Sequence, residues 1–348
     1  MKKFAILTSG GDCPGLNAVI RAVVVRSAVH HAEVMGIRAG WRGLVFPDTM
    51  KLTRARVDTI LNQGGTILGM SRFSPYHTPN GPERLMQNVK DWNLDAVIAV
   101  GGDGTLTLAK RLKDEYGLNV VGVPKTIDND VAATDETFGF DTAVAIATEA
   151  IDRLRTTAEA HERVIVVEVM GRDAGWIAAA AGLAGGAELI LVPERPAVLK
   201  DIINTVRRWH RMGRVSSLIV VAEGALVSET GAGPAENVLL NKQPDHMGRP
   251  RFGGVGAYLA KEIETACGVE TRVTVLGHVQ RGGTPTARDR VLATRLGSYA
   301  ADLAGEGRFG TMAALRGTEI VGVTLEEAVG KKKHLDPRLY DVASSFFE

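Results

Sequence analysis

Ala96-Val-Ile-Ala-Val-Gly-Gly-Asp-Gly-Thr-Leu-Thr-Leu-Ala-Lys-Arg-Leu-Lys-Asp114 decides the fold. Ala96–Val100 is an apolar run without polar alternation, as expected of a strand buried on both faces of a parallel sheet. Gly101–Thr105 is a Gly-rich turn, and Leu106–Asp114 reads as the helix that follows it. The same order recurs in both directions. Phe4–Leu7 precedes Thr8-Ser-Gly-Gly-Asp12 and a helix over Leu16–His30. Val120–Val123 precedes Pro124-Lys-Thr126 and a helix over Asp141–Ala158. Val164–Val169, Leu189–Val192, Leu218–Ala222 and Val273–Leu276 are further buried-strand runs, each ending in a Gly or polar turn, and Val255–Cys267 reads as a helix. Strand–loop–helix repeats of this kind predict an α/β fold of doubly wound, Rossmann-like three-layer domains, with ligands beyond the carboxyl ends of the strands.

The 348 residues suffice for two domains. A formal net charge of +1 gives no reason to expect a nucleic-acid or acidic-membrane partner. No apolar stretch reaches the length of a membrane span. MKKFAILTSGGD runs directly into a Gly-rich loop and reads as a first strand rather than a targeting segment. Cys13 and Cys267 show no metal-ligand spacing, and free thiols suit a reducing, cytoplasmic location. Ser228–Gly254 is the least regular segment and reads as a long loop or hairpin insertion, and Lys331-Lys-Lys-His334 as a solvated basic turn.

Three loops carry the chemistry. In Thr8–Asn17, Gly10 and its neighbours would let backbone amides approach phosphate oxygens just before a helix N-terminus. In Gly101–Thr105, Gly102 and Gly104 bring backbone close to a ligand, Asp103 offers a carboxylate to Mg2+, and Thr105 adds a hydroxyl. In Pro124-Lys-Thr-Ile-Asp-Asn-Asp130, Thr126, Asp128 and Asp130 put a hydroxyl and two carboxylates into a short span beside that loop. A hydroxyl acceptor is a poor nucleophile until a base takes its proton, and a carboxylate next to a phosphate donor is suited to that task. Arg163, Arg172, Arg272 and Arg281, with His278, lie at strand ends, and Glu223 ends another run. Forked guanidinium groups in such positions suit a phosphorylated substrate.

With these loops in order, the chain resembles the 6-phosphofructokinases of the glycolytic type. The resemblance runs through TSGGDCPGLNAVIR, GGTILGMSRF, GGDGT, PKTIDND, VEVMGRDAGW and LGHVQRGGTPTARDR, nearly the whole chain. NAD kinases and lipid kinases share only GGDGT. The resemblance implies phosphorylation of the 1-hydroxyl of fructose 6-phosphate in a cleft between two domains. It divides the chain into 1–139 plus about 280–328, holding the nucleotide, and about 140–279 plus 329–348, holding the sugar phosphate. Gly10, Arg72, Phe73 and Gly102–Thr105 would form the nucleotide site, with Arg72 reaching the transferring phosphoryl group and Asp103 serving Mg2+. Asp128 would be the base, in a catalytic loop with Thr126 and Asp130. Met170, Gly171, Arg172 and Glu223 would hold the sugar, and His278 and Arg281 its 6-phosphate. Arg163 and Arg272 would enter from a neighbouring subunit of a homotetramer or homodimer.

The family uses ATP or pyrophosphate. Gly104 resembles the ATP users, because the Asp usual in pyrophosphate users would occlude and repel a nucleotide's α-phosphate. Lys125 resembles the pyrophosphate users. The pair resembles a mixed subgroup of ATP-dependent enzymes that also carries a segment like Phe252–Ala260, so ATP is the expected donor and pyrophosphate the alternative. Arg21, Arg26, Arg155, Glu188, Arg211 and Arg214 lie near the effector residues of allosteric relatives. One extra residue in Val23–Val25 would turn Arg26 about 100° around its helix. Two further alternatives are a regulatory subunit without catalysis and a kinase for another sugar 6-phosphate, such as tagatose 6-phosphate.

Overall fold

The computed structural model describes residues 1–229, 236–237, 239–241 and 251–347. The strands of its two main sheets, in chain order, are β1 (Lys2–Thr8), β2 (Ala32–Ile37), β3 (Thr49–Leu52), β4 (Ala96–Gly101), β5 (Val120–Pro124), β6 (Val164–Val169), β7 (Leu189–Leu191), β8 (Ser217–Ala222), β9 (Thr271–Val275), β10 (Thr311–Arg316) and β11 (Glu319–Thr324). The longer helices are α1 (Leu16–Ser27), α2 (Gly81–Asp91), α3 (Asp103–Tyr116), α4 (Phe140–His161), α5 (Trp176–Ala184), α6 (Leu199–Arg211), α7 (Val255–Cys267) and α8 (Ala287–Gly305). The chain divides into two units, Met1–Thr142 with Arg281–Lys333, and Ala143–Gln280 with His334–Glu348.

The first unit is built on a seven-stranded sheet in the order β11-β10-β5-β4-β1-β2-β3. β2, β1, β4, β5 and β10 are parallel, and β3 and β11 are antiparallel edges. β4 and β5 are buried along their whole lengths, which explains their unbroken apolar runs. Val97 and Ala99 of β4 pack with Leu106, Ala109 and Leu112 of α3 on one face. α1 and α8 pack together closely, since a Cβ on Gly297 would lie 2.9 Å from the Val19 carbonyl oxygen. Burying the 14 Val, Leu, Ile and Met side chains of this cluster, at about 1.5–3 kcal/mol each, is the main force opposing chain entropy here.

The second unit holds a four-stranded parallel sheet in the order β9-β6-β8-β7. Val164 and Val166 of β6 and Ile219 and Val221 of β8 pack with Ile202, Val206 and Trp209 of α6 and Leu259 and Ile263 of α7. α5 lies tightly on the sheet: a Cβ on its Gly182 would meet Ile190 at 2.7 Å and Val220 at 3.4 Å. Each unit is thus an α/β layer structure on a sheet that is parallel apart from the edge strands β3 and β11 of the first.

Three local expectations are corrected. α3 begins at Asp103, so Asp103, Gly104 and Thr105 form its first turn rather than a loop before it. β9 is an edge strand, with Val273 38% and Val275 55% exposed, so its apolar run is not buried on both faces. Lys333 is partly buried and hydrogen-bonded, not a solvated turn residue. In Ser228–Gly254, Leu226–Ser228 pairs antiparallel with Glu236–Asn237, and Leu239–Asn241 with Arg251–Phe252. Residues 230–235, 238 and 242–250 of that segment lie outside the described residues. Among the described residues no helix is long and apolar enough to cross a membrane.

Candidate active site

In the first unit, β1 has β2 on one side and β4 on the other. This is a topological switch point, where the loops after adjacent strands diverge and leave a crevice. The register places Thr8 beside Val100 and Gly101 beside Pro124, so the three motif loops leave the same edge of the sheet side by side. Backbone hydrogen bonds join them: Ser9 N–H donates to the Val100 carbonyl at 3.0 Å and Lys125 N–H to the Gly101 carbonyl at 2.9 Å. Arg72 and Phe73 arrive through Ser71, whose carbonyl accepts from Gly10 N–H at 3.1 Å and from the Ser9 hydroxyl at 3.0 Å. Gly10 sits at φ +96°, where a side chain would be strained. The Phe73 ring packs edge-on to Phe46, with centroids 5.8 Å apart, and Arg72 is exposed.

The glycines of Gly101–Gly104 have separate causes. A Cβ on Gly101 would lie 2.3 Å from Thr105 Oγ1, and one on Gly102 would lie 3.2 Å from the Lys125 carbonyl oxygen. Both are needed for packing. A Cβ on Gly104 meets nothing within 4 Å, and its φ lies outside the left-handed range. Nothing in the chain's own packing or backbone requires glycine at 104. Asp103 is the first residue of α3, where free peptide N–H groups and the positive end of the helix dipole favour an anion. Thr105 is buried behind it.

The third loop is braced internally. Asp128 N–H donates to Thr126 Oγ1 at 3.0 Å, and the Thr137 hydroxyl donates to the Thr126 carbonyl at 2.8 Å. Asn129 takes a left-handed φ of +51°, and its side-chain oxygen accepts from Thr137 N–H at 3.1 Å. Lys125 is buried and its ammonium donates to the Gly11 carbonyl. Burial pushes the Lys125 ammonium below the usual lysine range, and the nearby Asp128 and Asp130 carboxylates partly oppose that shift. Arg281 belongs to this unit, and its guanidinium donates to the Asp12 carbonyl at 3.1 Å. The Cys13 thiol is pushed up to about 12 by burial, so it stays neutral and unreactive.

In the second unit, β9, β6 and β8 are adjacent and parallel, pairing Val275 with Glu168 and Val169 with Ala222. Met170-Gly-Arg172, Glu223 and the turn Gly277–Arg281 therefore start from the same sheet edge, and His278 lies in that turn. Glu223 N–H donates to the Val169 carbonyl at 2.9 Å, and Gly224 N–H to the Gly171 carbonyl at 3.0 Å. Met170 N–H donates to the side-chain oxygen of Gln280 at 3.4 Å. Arg163 and Arg272 sit at the other edge. The six residues of β6 put seven steps, about 23 Å, between Arg163 and Met170. Arg163 pairs with Glu270 at 2.8 Å, and Arg272 also pairs with Glu270.

Four of the effector candidates, Arg26, Arg155, Glu188 and Arg214, form ion pairs inside their own units. Arg26 pairs with Asp302 of α8 at 2.7 Å, and Asp302 also meets His30 at 2.7 Å. Glu188 pairs with Arg155 at 3.0 Å and with Arg214 at 3.6 Å. Sequence reasoning missed three supports, two of them buried, Glu168 and Asp289, and one half-buried, Glu194. Glu168 accepts from Gly254 and Gly256 N–H at the start of α7, at 3.2 and 2.8 Å. Glu194 accepts from Gly175 N–H at 3.1 Å and from Leu335 N–H at 2.9 Å. Asp289 accepts from Gly139 N–H and Thr142 N–H, both at 2.8 Å, and from the Thr142 hydroxyl at 2.5 Å. The only local signal was an acid inside an otherwise apolar run at Glu168.

Comparison with known proteins places the chain in a family. A family model described as phosphofructokinase matches residues 3–304. The chain is 56% identical over 347 residues to a pyrophosphate–fructose 6-phosphate 1-phosphotransferase of Amycolatopsis methanolica, covering 99% of each. It is 51% identical over 339 residues to ATP-dependent 6-phosphofructokinase 3 of Streptomyces coelicolor, covering 97% of this chain and 98% of that one. The solved phosphofructokinase of Saccharomyces cerevisiae superposes with a TM-score of 0.81 at 32% identity, over 99% of this chain and 47% of the yeast chain.

Proposed function

The chain belongs to the phosphofructokinase family, and from that premise we propose that it transfers the γ-phosphoryl group of ATP to the 1-hydroxyl of D-fructose 6-phosphate, giving fructose 1,6-bisphosphate and ADP. The loops after β1, β4 and β5 take the donor. Peptide N–H groups around Gly10, Gly11 and the first turn of α3 bind its phosphates, Thr105 adds a hydroxyl, and Phe73 flanks the base. Asp103 would hold Mg2+ together with the donor's phosphate oxygens, and the ion would offset their charge. Among the described residues no group of three or more His, Cys, Asp or Glu could hold a metal alone; an ion bound through one carboxylate and phosphates needs none.

Asp128 takes the proton of the 1-hydroxyl as the oxygen attacks the γ-phosphorus and the bond to the ADP oxygen breaks. Thr126 and Asp130 orient the sugar. Arg72 and Arg172 offset charge on the transferring group, where most of the acceleration arises. Met170, Gly171 and Glu223 contact the sugar, and His278 and Arg281 its 6-phosphate. Arg163 and Arg272 serve a neighbouring subunit of a homotetramer or homodimer. Their position at the opposite sheet edge from Met170 supports that reading, as do the exposed Val273 and Val275 of edge strand β9. A glycolytic, cytoplasmic role follows from this reaction.

The observation that carries the ATP reading is the open space at Gly104: glycine there has no structural cause, and an absent side chain leaves room for an α-phosphate. A second reading, pyrophosphate as donor, is favoured by the buried ammonium of Lys125 beside Gly11 and by the 56% identity to the Amycolatopsis enzyme. Initial rates with fructose 6-phosphate and either donor separate the two. Turnover with ATP supports the first, and turnover with pyrophosphate alone replaces it with the second.

A further inference from the structure

The basic stretch Lys331–His334 contains one lysine unlike its neighbours. Lys331 and Lys332 are exposed, whereas Lys333 is partly buried and its ammonium donates three hydrogen bonds. The acceptors are the side-chain oxygen of Asn129 at 2.7 Å, the Asp135 carbonyl at 2.8 Å and the Thr134 carbonyl at 3.0 Å. Its own N–H donates to the Asp130 carbonyl at 3.0 Å, and Val131 and Lys332 form an antiparallel bridge. The segment therefore lies against residues 129–135 through backbone and side chain alike. Asn129 stands between Asp128 and Asp130 in a left-handed conformation that costs a non-glycine residue energy and must be held by its surroundings.

We propose that Lys333 is a positioning residue for Asp128: its ammonium locks Asn129 and thereby fixes the turn that aims the neighbouring carboxylate at the substrate hydroxyl. The proposal rests on the function proposed above. Two lines of geometry carry it, the three-acceptor clamp and the strained residue it grips.

The clamp is sensitive to pH. Burial pushes the Lys333 ammonium down to about 8, against the opposing pull of Asp135, Glu136 and Asp130. Glu136 is itself paired with Arg288 of α8, so an arginine stands behind the carboxylates that oppose the shift. Above about pH 8 the ammonium loses a proton and one of its three donors. The same titration favours the folded state as pH rises, because the unfolded chain holds its proton to a higher pH. Loss of activity on this limb is then not loss of fold.

The test compares wild type with Lys333→Gln and Lys333→Arg across pH 6–10, reading kcat, KM and hydrogen exchange of the amides of residues 126–137. Lys333→Gln is expected to lower kcat on the order of ten- to a hundred-fold, as a small misplacement does. Both KM values should move far less, the alkaline limb near pH 8 should vanish, and amide protection should fall. Lys333→Arg is expected to restore most of kcat and shift the limb beyond pH 10. Wild-type kcat and protection in Lys333→Gln would overturn the proposal, as would a limb still near pH 8 in Lys333→Arg should the Gln variant not fold. Hydrogen exchange reads the clamp whichever substrate is correct, so failure of the functional reading is seen separately, as wild type inactive on fructose 6-phosphate.

Discussion

The buried ammonium of Lys125 donates a hydrogen bond to the backbone carbonyl of Gly11, tying the loop after β5 to the loop after β1. Lys125 thus has a structural partner besides any donor phosphate. Lys125→Met, which keeps the buried volume, should lose most pyrophosphate turnover, if any is present, and reduce ATP turnover by less than about tenfold, the scale of one hydrogen bond to a charged group. Paired initial rates with the two donors check this. An equal loss with both donors would show that the bond to Gly11 is the residue's main contribution.

Gly104→Asp tests the other half of the donor assignment. Since a Cβ at this position meets nothing within 4 Å, the variant should fold with stability within about 0.5 kcal/mol of wild type. The added carboxylate should raise the KM for ATP by at least about tenfold through repulsion, a cost of about 1.4 kcal/mol or more. Unchanged ATP kinetics would remove the role given to Gly104.

Asp128→Asn removes the proposed base while keeping its size. The expected loss in kcat is about 10²–10⁴-fold, with an unaltered thermal melting curve. A loss below fivefold would move the base elsewhere in the loop, with Asp130 the next residue to change.

Asp289 gives a prediction about stability. Burial raises its carboxyl to about 6 from an ordinary 3.8, despite the hydrogen bonds it accepts from Thr142 and Gly139. The folded pKa lies above the unfolded one, so the stability this group supplies is full below about pH 4. It is lost as pH rises through 6. The shift corresponds to about 3 kcal/mol. Urea midpoints measured from pH 4 to pH 7 should show a decline from this group, and Asp289→Asn should flatten it. An identical slope in the variant would mean that Asp289 titrates normally.

Seven strands and the three loops were legible because their signals are local, whereas β2, β3, β10 and β11 were not read from the sequence. β4 and β5 are buried on both faces and read as unbroken apolar runs, and Gly101–Thr105 interrupts the chain where β4 stops. β9 has a similar run, but no neighbouring strand covers its outer edge, and periodicity cannot register an absent neighbour. The start of α3 was read three residues late because two of its flanking residues are glycines with poor helix propensity. Tertiary packing of Leu106, Ala109 and Leu112 overrides that preference. Lys333, Glu168 and Glu194 were illegible for another reason. Their partners lie 204, 88 and 141 residues away, and hydrogen bonds made over such distances leave no mark on the local sequence beyond the lone acid in the apolar run at Glu168.

The most direct test of the central claim is the rate of fructose 1,6-bisphosphate formation by the unmodified protein, with Mg2+ and fructose 6-phosphate, in parallel with ATP and with pyrophosphate. The account predicts turnover with ATP on the order of 1–100 s⁻¹. Product formed with pyrophosphate and none with ATP would contradict it.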